Sequence, residues 1–214
     1  MVRRFEESLK LIKKRILMLE EYTKTSLKLS REYIEEKAKD KLKRISKIEK
    51  ESDLLNLEIQ ENCLNLIALF QPVARDLRFI SAMMEISYFL ERICDLSEGI
   101  ANIIKKLKLD EDDTFYLQKM LDQVYEIIEV EMEALEKTSI DSLRIACQAK
   151  DDIIDLLDEE MRENLRKKIS ENPEKTQNLE LILVSYFIER AGDLACKIAS
   201  RILFMVEGER VHIK

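Results

Sequence analysis

The chain has 214 residues, of which 37% are charged and 46% are apolar, and it contains only three glycines and two prolines. This composition leaves few turn positions and favours long helices, while the length allows one or two domains with a sizeable core. The net charge of −7 argues against nucleic-acid binding, which usually needs a basic surface.

The sequence contains no recognisable targeting or membrane-spanning segment. Its first residues lack the apolar core of a signal peptide, and the longest stretch without a charge, residues 62–74, has 13 residues, too few to cross a bilayer. The four cysteines show no C-x-x-C spacing. We therefore expect a soluble, cytoplasmic protein with no membrane span and with reduced, buried cysteines.

Apolar residues in the first part of the chain recur at alternating steps of three and four, the pattern of helices that pack in a bundle. This pattern predicts a first helix that ends near residue 29 and a second helix over residues 42–70. Pro72 is expected to end the second helix and to open the third, because proline suits a first helical turn. The third helix is predicted to continue to about Leu107.

The acidic segment at residues 109–114 is the strong break in the middle of the chain. Its negative charges suit the start of a fourth helix, which is predicted to end near Lys137. Thr138 and Ser139 are expected to cap the start of a fifth helix, which ends near residue 169.

The last helix is marked at both ends. Asn172 and Pro173 form the pattern of an N-cap followed by proline at the first helical position. Gly208 is placed to end the sixth helix. The sequence therefore predicts an all-α fold with six long helices and no strand.

A ten-residue motif occurs twice, as SYFLERICDL at residues 87–96 and as SYFIERAGDL at residues 185–194. Glu91 and Glu189 are 98 residues apart, and each precedes an aspartate by four residues, so that both acids of a copy lie on one face of a helix. An internal repeat indicates structurally similar units. We predict two three-helix bundles, at residues 1–109 and at residues 110–214.

A second acidic pair with the same spacing lies upstream of each motif. Glu49 and Asp53 are on the second helix, and Asp151 and Asp155, 102 residues later, are on the fifth. In each half the upstream and downstream pairs are equally far from a predicted turn, near residue 72 or residue 172. Residues equally far from the turn of an antiparallel hairpin lie at one height, here roughly 30 Å from the turn. Each hairpin is therefore expected to bring four carboxylates together.

Four carboxylates at one height repel one another unless their charge is neutralised. A bound cation would neutralise them, and an all-oxygen ligand set suits Mg²⁺, Mn²⁺ or iron, with Zn²⁺ as a further option. The alternatives are a solvated acidic face, or local pairing of Arg92 with Asp95 and of Arg190 with Asp193. We favour metal, because both halves keep both acidic pairs level. The predicted ligands are Glu49, Asp53, Glu91 and Asp95 in the first half and Asp151, Asp155, Glu189 and Asp193 in the second.

The sequence resembles the PhoU family, regulators of phosphate-specific transport. The resemblance lies in QPVARDLR at residues 71–78, in the ERICD and ERAGD parts of the repeated motif, and in ILFMVEGE at residues 202–209. It covers nearly the whole chain. The resemblance implies two three-helix bundles side by side, multinuclear iron or zinc clusters on the motif carboxylates, and no enzymatic activity. It also implies a cytoplasmic regulator, often a homodimer, that couples a phosphate transporter to a sensor histidine kinase.

The chain departs from the family pattern beside each motif. Leu96 and Leu194 stand where many members have histidine, and Gly99 and Lys197 stand where many have asparagine. Lys197 brings a positive charge within one helical turn of Asp193. These departures make metal occupancy and nuclearity less firmly expected at the second site than at the first.

Arg75 and Arg78 flank the turn between the second and third helices, at one end of the bundle. A regulator must contact a partner, and we predict that these arginines bind the transporter ATPase or its membrane component. The alternative is that they cap and pair locally with Asp76.

Two other functions stay open at this point. A carboxylate-bridged metalloenzyme of the ferritin-like kind would use Glu-x-x-His motifs, but this chain has no histidine near its acids. A helical scaffold that only makes protein contacts would need no metal. Metal analysis distinguishes the scaffold from the regulator, and an oxygen-dependent turnover assay distinguishes the metalloenzyme.

Overall fold

The structure is a computed structural model that describes residues 2–137, 140, 142–171, 177–209 and 213. These residues form six α-helices and no strand, which confirms the predicted all-α fold of two repeated halves. The helices are α1 (Val2–Glu36), α2 (Lys39–Phe70), α3 (Ala74–Ile104), α4 (Glu111–Lys137), α5 (Leu143–Glu171) and α6 (Gln177–Glu207).

Helix α1 is longer than the sequence pattern predicts. It continues past residue 29 to Glu36 because Tyr33 and Ile34 are still buried in the core, although charged neighbours hide the apolar periodicity there. The helix ends where Lys37 adopts a left-handed conformation with φ of 48°, and its amide donates to the carbonyl of Tyr33 at 3.0 Å. This is the usual geometry of a helix C-terminus.

Pro72 ends α2, as predicted, but it does not open α3. Helix α2 stops at Phe70, Gln71 is left-handed, and α3 starts only after an extended Val73. Gly208 does end α6, with φ of 82° and its amide bonded to the carbonyl of Phe204 at 2.9 Å. The predicted caps at residues 138–139 and 172–173 lie outside the described residues.

Each half is a bundle in which three helices pack against one another, α1 to α3 in the first half and α4 to α6 in the second. The halves meet through two helix pairs, α3 with α6 and α1 with α4. Within the described ranges, α2 and α5 contact only helices of their own half, so they form the outer edges of the molecule.

The helix pairs that join the halves are antiparallel. Between α3 and α6, Arg201 Nε lies 2.7 Å from Glu85 Oε2, and a Cβ atom on Gly99 would lie 2.9 Å from the ring of Phe187. Both contacts belong to an antiparallel register that places Cys94 of α3 at the level of Gly192 of α6. The two halves are therefore related by an approximate two-fold axis near these residues.

The core is aliphatic and continuous across both halves. All four cysteines are buried and free, as the sequence predicts. Over the part of the chain that the structure describes, no helix has both the length and the apolar character of a bilayer-crossing segment.

Candidate metal centres

Hydrogen bonds between α2 and α3 establish how the first hairpin is aligned. Gln60 Nε2 donates to the carbonyl of Met84 at 2.7 Å and to Ser87 Oγ at 3.0 Å. Ser87 Oγ in turn donates to Asn56 Oδ1 at 2.9 Å. These partners are nearly equidistant from Pro72, so the acidic pairs of α2 and α3 lie at one height, as the sequence predicts.

The second hairpin has the same alignment. A Cβ atom on Gly192 of α6 would lie 2.8 Å from Ile154 Cδ1 and 3.5 Å from Asp151 Oδ1, both on α5. These residues are nearly equidistant from residue 172. Because α3 and α6 are also aligned at Cys94 and Gly192, both acidic clusters lie at the same level of the molecule.

In the first hairpin the four predicted carboxylates influence one another. Burial, followed by the charges of Asp95 and Asp53, raises the pKa of Glu91 to about 7. The pKa of Glu49 is raised by burial first and then by Glu98, Asp53 and Asp95. The structure therefore brings the predicted set within electrostatic reach of one another and adds a fifth member, Glu98.

In the second hairpin the arrangement is different. The pKa of Glu189 is raised by burial, then by the charge of Asp193, with smaller contributions from Asp158 and Asp155. Asp151 is buried deeper, beside Gly192, where it forms a hydrogen bond with the thiol of Cys196. The second cluster thus gains Asp158, while Asp151 is turned towards the core.

The two missed acids have a signal in the sequence. Glu98 follows Glu91 by seven residues and Asp95 by three, and Asp158 stands in the same relation to Asp151 and Asp155. Residues at these spacings share one helix face. Extending each motif by one turn would therefore have found both.

Arginines neutralise one acid in each cluster. Arg92 Nη1 donates to Asp95 Oδ2, and Arg190 Nη1 donates to Asp193 Oδ2 at 3.1 Å. Lys197 forms no ion pair with any carboxylate that the structure describes. The local pairing that the sequence offered as an alternative to metal is therefore present in both halves.

The carboxylates supply the oxygen donors that a hard or intermediate cation prefers. As the side chains stand, no three acids, histidines or cysteines among the described residues converge on one point. The donor chemistry of the first cluster nevertheless fits a cation, because buried like charges raise the pKa of several of its members. Binding there through Asp95 would require Arg92 to release this side chain.

The two arginines predicted to bind a partner are placed differently. Arg75 is exposed at the start of α3. Arg78 is partly buried, and its guanidinium carbon lies 3.3 Å from where a Cβ atom of Gly208 would be, at the end of α6. A cation in this place is stabilised by the helix dipole, so Arg78 has a local structural role, whereas Arg75 is free of such a contact among the described residues.

The fold and the repeated acidic motif define a class of all-α proteins with two homologous three-helix units. The family model described as PhoU domain matches residues 16–104 and 117–202. The chain therefore belongs to the PhoU family.

Relatives and solved structures agree with this membership. The chain is 36% identical to the phosphate-specific transport system accessory protein PhoU homolog of Archaeoglobus fulgidus, over 82% of this chain and 81% of that protein. It is 29% identical to PhoU homolog 1 of Methanothermobacter thermautotrophicus, over 96% and 95% of the two chains. The crystal structure of PhoU from Pseudomonas aeruginosa is similar in fold, with a TM-score of 0.89 at 20% identity over 96% of this chain and 100% of that one.

Proposed function

We propose that this protein is a metal-binding regulatory adaptor of phosphate uptake that acts in the cytoplasm. Membership of the PhoU family and relatives named as accessory proteins of phosphate-specific transport support the regulatory part. The two acidic clusters support the metal-binding part. No catalytic step is assigned to the protein.

The observation that carries metal binding is the burial of Glu91 among other acids. A carboxylate at this place loses hydration and faces the charges of Asp95 and Asp53, so that its pKa rises to about 7. Either a proton or a cation relieves this repulsion. Near neutral pH a bound cation relieves the repulsion while the carboxylates stay ionised.

The residues that would hold metal in the first half are Glu49, Asp53, Glu91, Asp95 and Glu98. In the second half they are Asp155, Asp158, Glu189 and Asp193, with Asp151 available if its side chain turns away from Cys196. Iron or zinc is proposed for these centres, with Mg²⁺ or Mn²⁺ as alternatives, and the bound cation would supply positive charge that locks each hairpin.

Metal content and chelator sensitivity test this proposal. Removing metal should lower the melting temperature, because a ligand that binds only the native state adds about 2.7 kcal/mol at a hundredfold excess over its dissociation constant. The double change Glu91→Gln and Asp95→Asn should abolish metal in the first cluster and make the protein less sensitive to chelator. The matched double change in the second half, Glu189→Gln with Asp193→Asn, applies the same test to the second cluster.

A competing function has its own observation. The Arg92–Asp95 and Arg190–Asp193 pairs are what a metal-free helical scaffold would use to balance its charge. If purified parent protein contains no metal and chelator leaves its melting curve unmoved, the scaffold function replaces the metal-binding one.

The partner of the adaptor is proposed to be the phosphate transporter, through its ATPase or its membrane component, with a sensor histidine kinase as a second partner and a homodimer as the active form. Exposed Arg75 at the end of the bundle supports a contact there. Arg75→Ala should weaken binding to the transporter ATPase without changing stability, whereas Arg78→Ala should also destabilise the end of α6. Unchanged affinity in both variants would remove this end of the bundle as the docking site.

A further inference from the structure

Helix α2 carries an apolar stripe on its outer face. The α2 stripe consists of Leu54, Leu57, Glu61, Leu64 and Ala68, which follow one another at steps of three, four, three and four. All five residues are exposed, and the three leucines are 64%, 63% and 56% exposed. This spacing is the seam of a coiled coil, with one polar residue at its centre.

The other half of the molecule provides a comparison for this face. At the equivalent positions, 102 residues later, α5 has Leu156 followed by Glu159, Glu163, Arg166 and Ser170. Glu163 lies 3.7 Å from both Arg166 and Lys167, so the charges of α5 pair with one another. The α5 face is suited to solvent, and the repeat therefore does not itself require leucines at the outer edge.

Glu61 of α2 lacks the basic neighbours that Glu163 of α5 has one helical turn later. The residues three and four positions after Glu61 are Leu64 and Asn65, and no basic side chain in the described part of the chain forms an ion pair with it. Of the other exposed acids near the stripe, Glu58 lies 3.3 Å from Arg15 of α1, and Asp53 belongs to the first acidic cluster, so the open negative charge of the seam is that of Glu61. The seam therefore combines apolar surface with negative charge that is open to a cationic partner.

A second copy of this chain fits the α2 stripe poorly. If the stripes of two copies packed with all their leucines in the seam, each Glu61 would face Glu61 of the other copy or an apolar side chain. The antiparallel register that brings Lys50 opposite Glu61 places Leu64 against Lys47. Packing one α2 stripe against another therefore does not satisfy both the leucines and the charge.

We infer that the α2 stripe docks an amphipathic helix of another protein, with leucine-like residues at heptad spacing and a lysine or arginine opposite Glu61. An amphipathic helix against an apolar helical groove or seam is a common mode of protein recognition. A basic residue in its seam would neutralise Glu61 and would disfavour partners that carry acid at that position. The inference concerns a surface that metal binding does not use, so it goes beyond the proposed function.

A synthetic helix tests the inference directly. The probe is a labelled peptide of about 20 residues with leucines at the seam positions and one arginine at the centre, and the control peptide has glutamate in place of that arginine. The full-length protein should bind the arginine peptide at least about tenfold more tightly than the glutamate peptide, as measured by fluorescence anisotropy. Glu61→Lys should reverse this preference.

A variant that should lose peptide binding is made by substituting residues of α5 at the equivalent positions of α2. Leu57→Glu with Leu64→Arg places the α5 residues on α2 and should weaken binding of the arginine peptide at least about tenfold. Because both leucines are more than half exposed, circular dichroism should report unchanged folding. Leu156→Glu on α5 is the matched control and should leave peptide binding unchanged.

Three results of the peptide assay would overturn the inference: no binding of the arginine peptide to the parent protein, equal binding of both peptides, or equal binding by the Leu57→Glu, Leu64→Arg variant. Light scattering tests whether a second copy of this chain, and not another protein, covers the α2 stripe. A parent dimer that this variant converts to a monomer would mean that a second copy covers the stripe, and the inference would be wrong.

Discussion

The first half packs α1 against α3 partly through buried hydroxyl groups, whereas the second half places different chemistry at the same positions. Thr23 Oγ1 donates to the carbonyl of Leu90 at 3.2 Å, and Ser30 Oγ donates to that of Ser97 at 3.2 Å. An offset of 101 residues matches the buried positions of α1 and α4, such as Leu19 with Met120 and Leu27 with Ile128. At this offset Val124 replaces Thr23 and Glu131 replaces Ser30. The repeat thus conserves which positions are buried without conserving how polar they are.

The two halves also exchange large and small residues near the two-fold axis. In the first half Cys94 forms a hydrogen bond with Ser52. In the second half Gly192 takes the place of the cysteine, 98 residues later, and Ile154 takes the place of the serine, 102 residues later. The larger member of the pair is on α3 in the first half and on α5 in the second, so that each pair fills the space between its two helices.

Beside the acidic clusters, neutral amides in the first half become charges in the second. Asn56 and Gln60 form hydrogen bonds with Ser87 in the first half. Their equivalents are Asp158 and Arg162, which form an ion pair at 2.6 Å. Asp158 also raises the pKa of Glu189, and the second cluster is therefore supported by charge where the first is supported by neutral hydrogen bonds.

The largest effect is expected for Glu131, the buried acid that stands at the position of Ser30. Its carboxyl is fully buried, accepts a hydrogen bond from the amide of Ala199 at 3.0 Å, and leaves Oε2 without a partner among the described residues. Burial holds the pKa of Glu131 well above its ordinary value. Because the folded state retains this proton, the free energy of unfolding should fall as pH rises from the ordinary pKa towards the raised one.

Glu131→Gln should remove that pH dependence. At a pH above the raised pKa the variant should be more stable than the parent by about 3 kcal/mol, since it no longer ionises in the core. Urea unfolding between pH 5 and pH 9 (a range about the ordinary carboxyl pKa and above it) measures the difference. Ser30→Ala in the first half is the control and should shift stability equally at every pH; a parallel shift in Glu131→Gln as well would contradict the assignment.

An intermediate effect on stability is expected when Gly192 and Ile154 are replaced by the residues at the equivalent positions of the first half. Gly192→Cys would bring a Cβ atom to 2.8 Å from Ile154 Cδ1, and such overpacking should destabilise the protein by about 2 kcal/mol. Adding Ile154→Ser recreates the pair of the first half and should recover most of that loss. A double-mutant cycle in urea measures the coupling, and additive losses would show that the two positions do not fill a common space.

The smallest effect on stability is expected for Asp158→Asn, which gives the second half the amide of the first. The pKa of Glu189 should move towards its ordinary value because one neighbouring charge is lost. Stability should change by less than about 1 kcal/mol, since Arg162 remains partly exposed. Carboxyl NMR titration follows Glu189, and an unchanged titration would mean that Asp158 does not act on it.

The helices, the repeat and the height of the acidic pairs could be predicted from the sequence because all three depend on spacing along the chain. Hydrophobic periodicity identified the first three helices, and start and stop signals marked the other three. Distance from the turn aligned Glu49 with Asp95 and Asp151 with Asp193. The same reasoning missed the end of α1, where buried Tyr33 and Ile34 are surrounded by charged residues.

Features that depend on contacts between helices could not be predicted in this way. The orientation of Asp151 depends on the thiol of Cys196 and on the absence of a side chain at Gly192. The packing of Arg78 depends on the end of α6, which lies far away in the sequence. Spacing places a residue on a helix face, but it does not specify which neighbour that residue contacts there.

The antiparallel contact of α3 with α6 has a consequence for how this architecture could have diversified. In an assembly of two identical chains, every contact across the two-fold axis would occur twice, and a cavity on one side would be repeated on the other. Joining the two units in one polypeptide removes this restriction. The notch at Gly99, which receives the ring of Phe187, has Lys197 as its counterpart. One covalent chain can therefore carry two unequal acidic clusters on a nearly symmetric backbone, whereas two copies of a single-unit gene product would carry the same cluster twice.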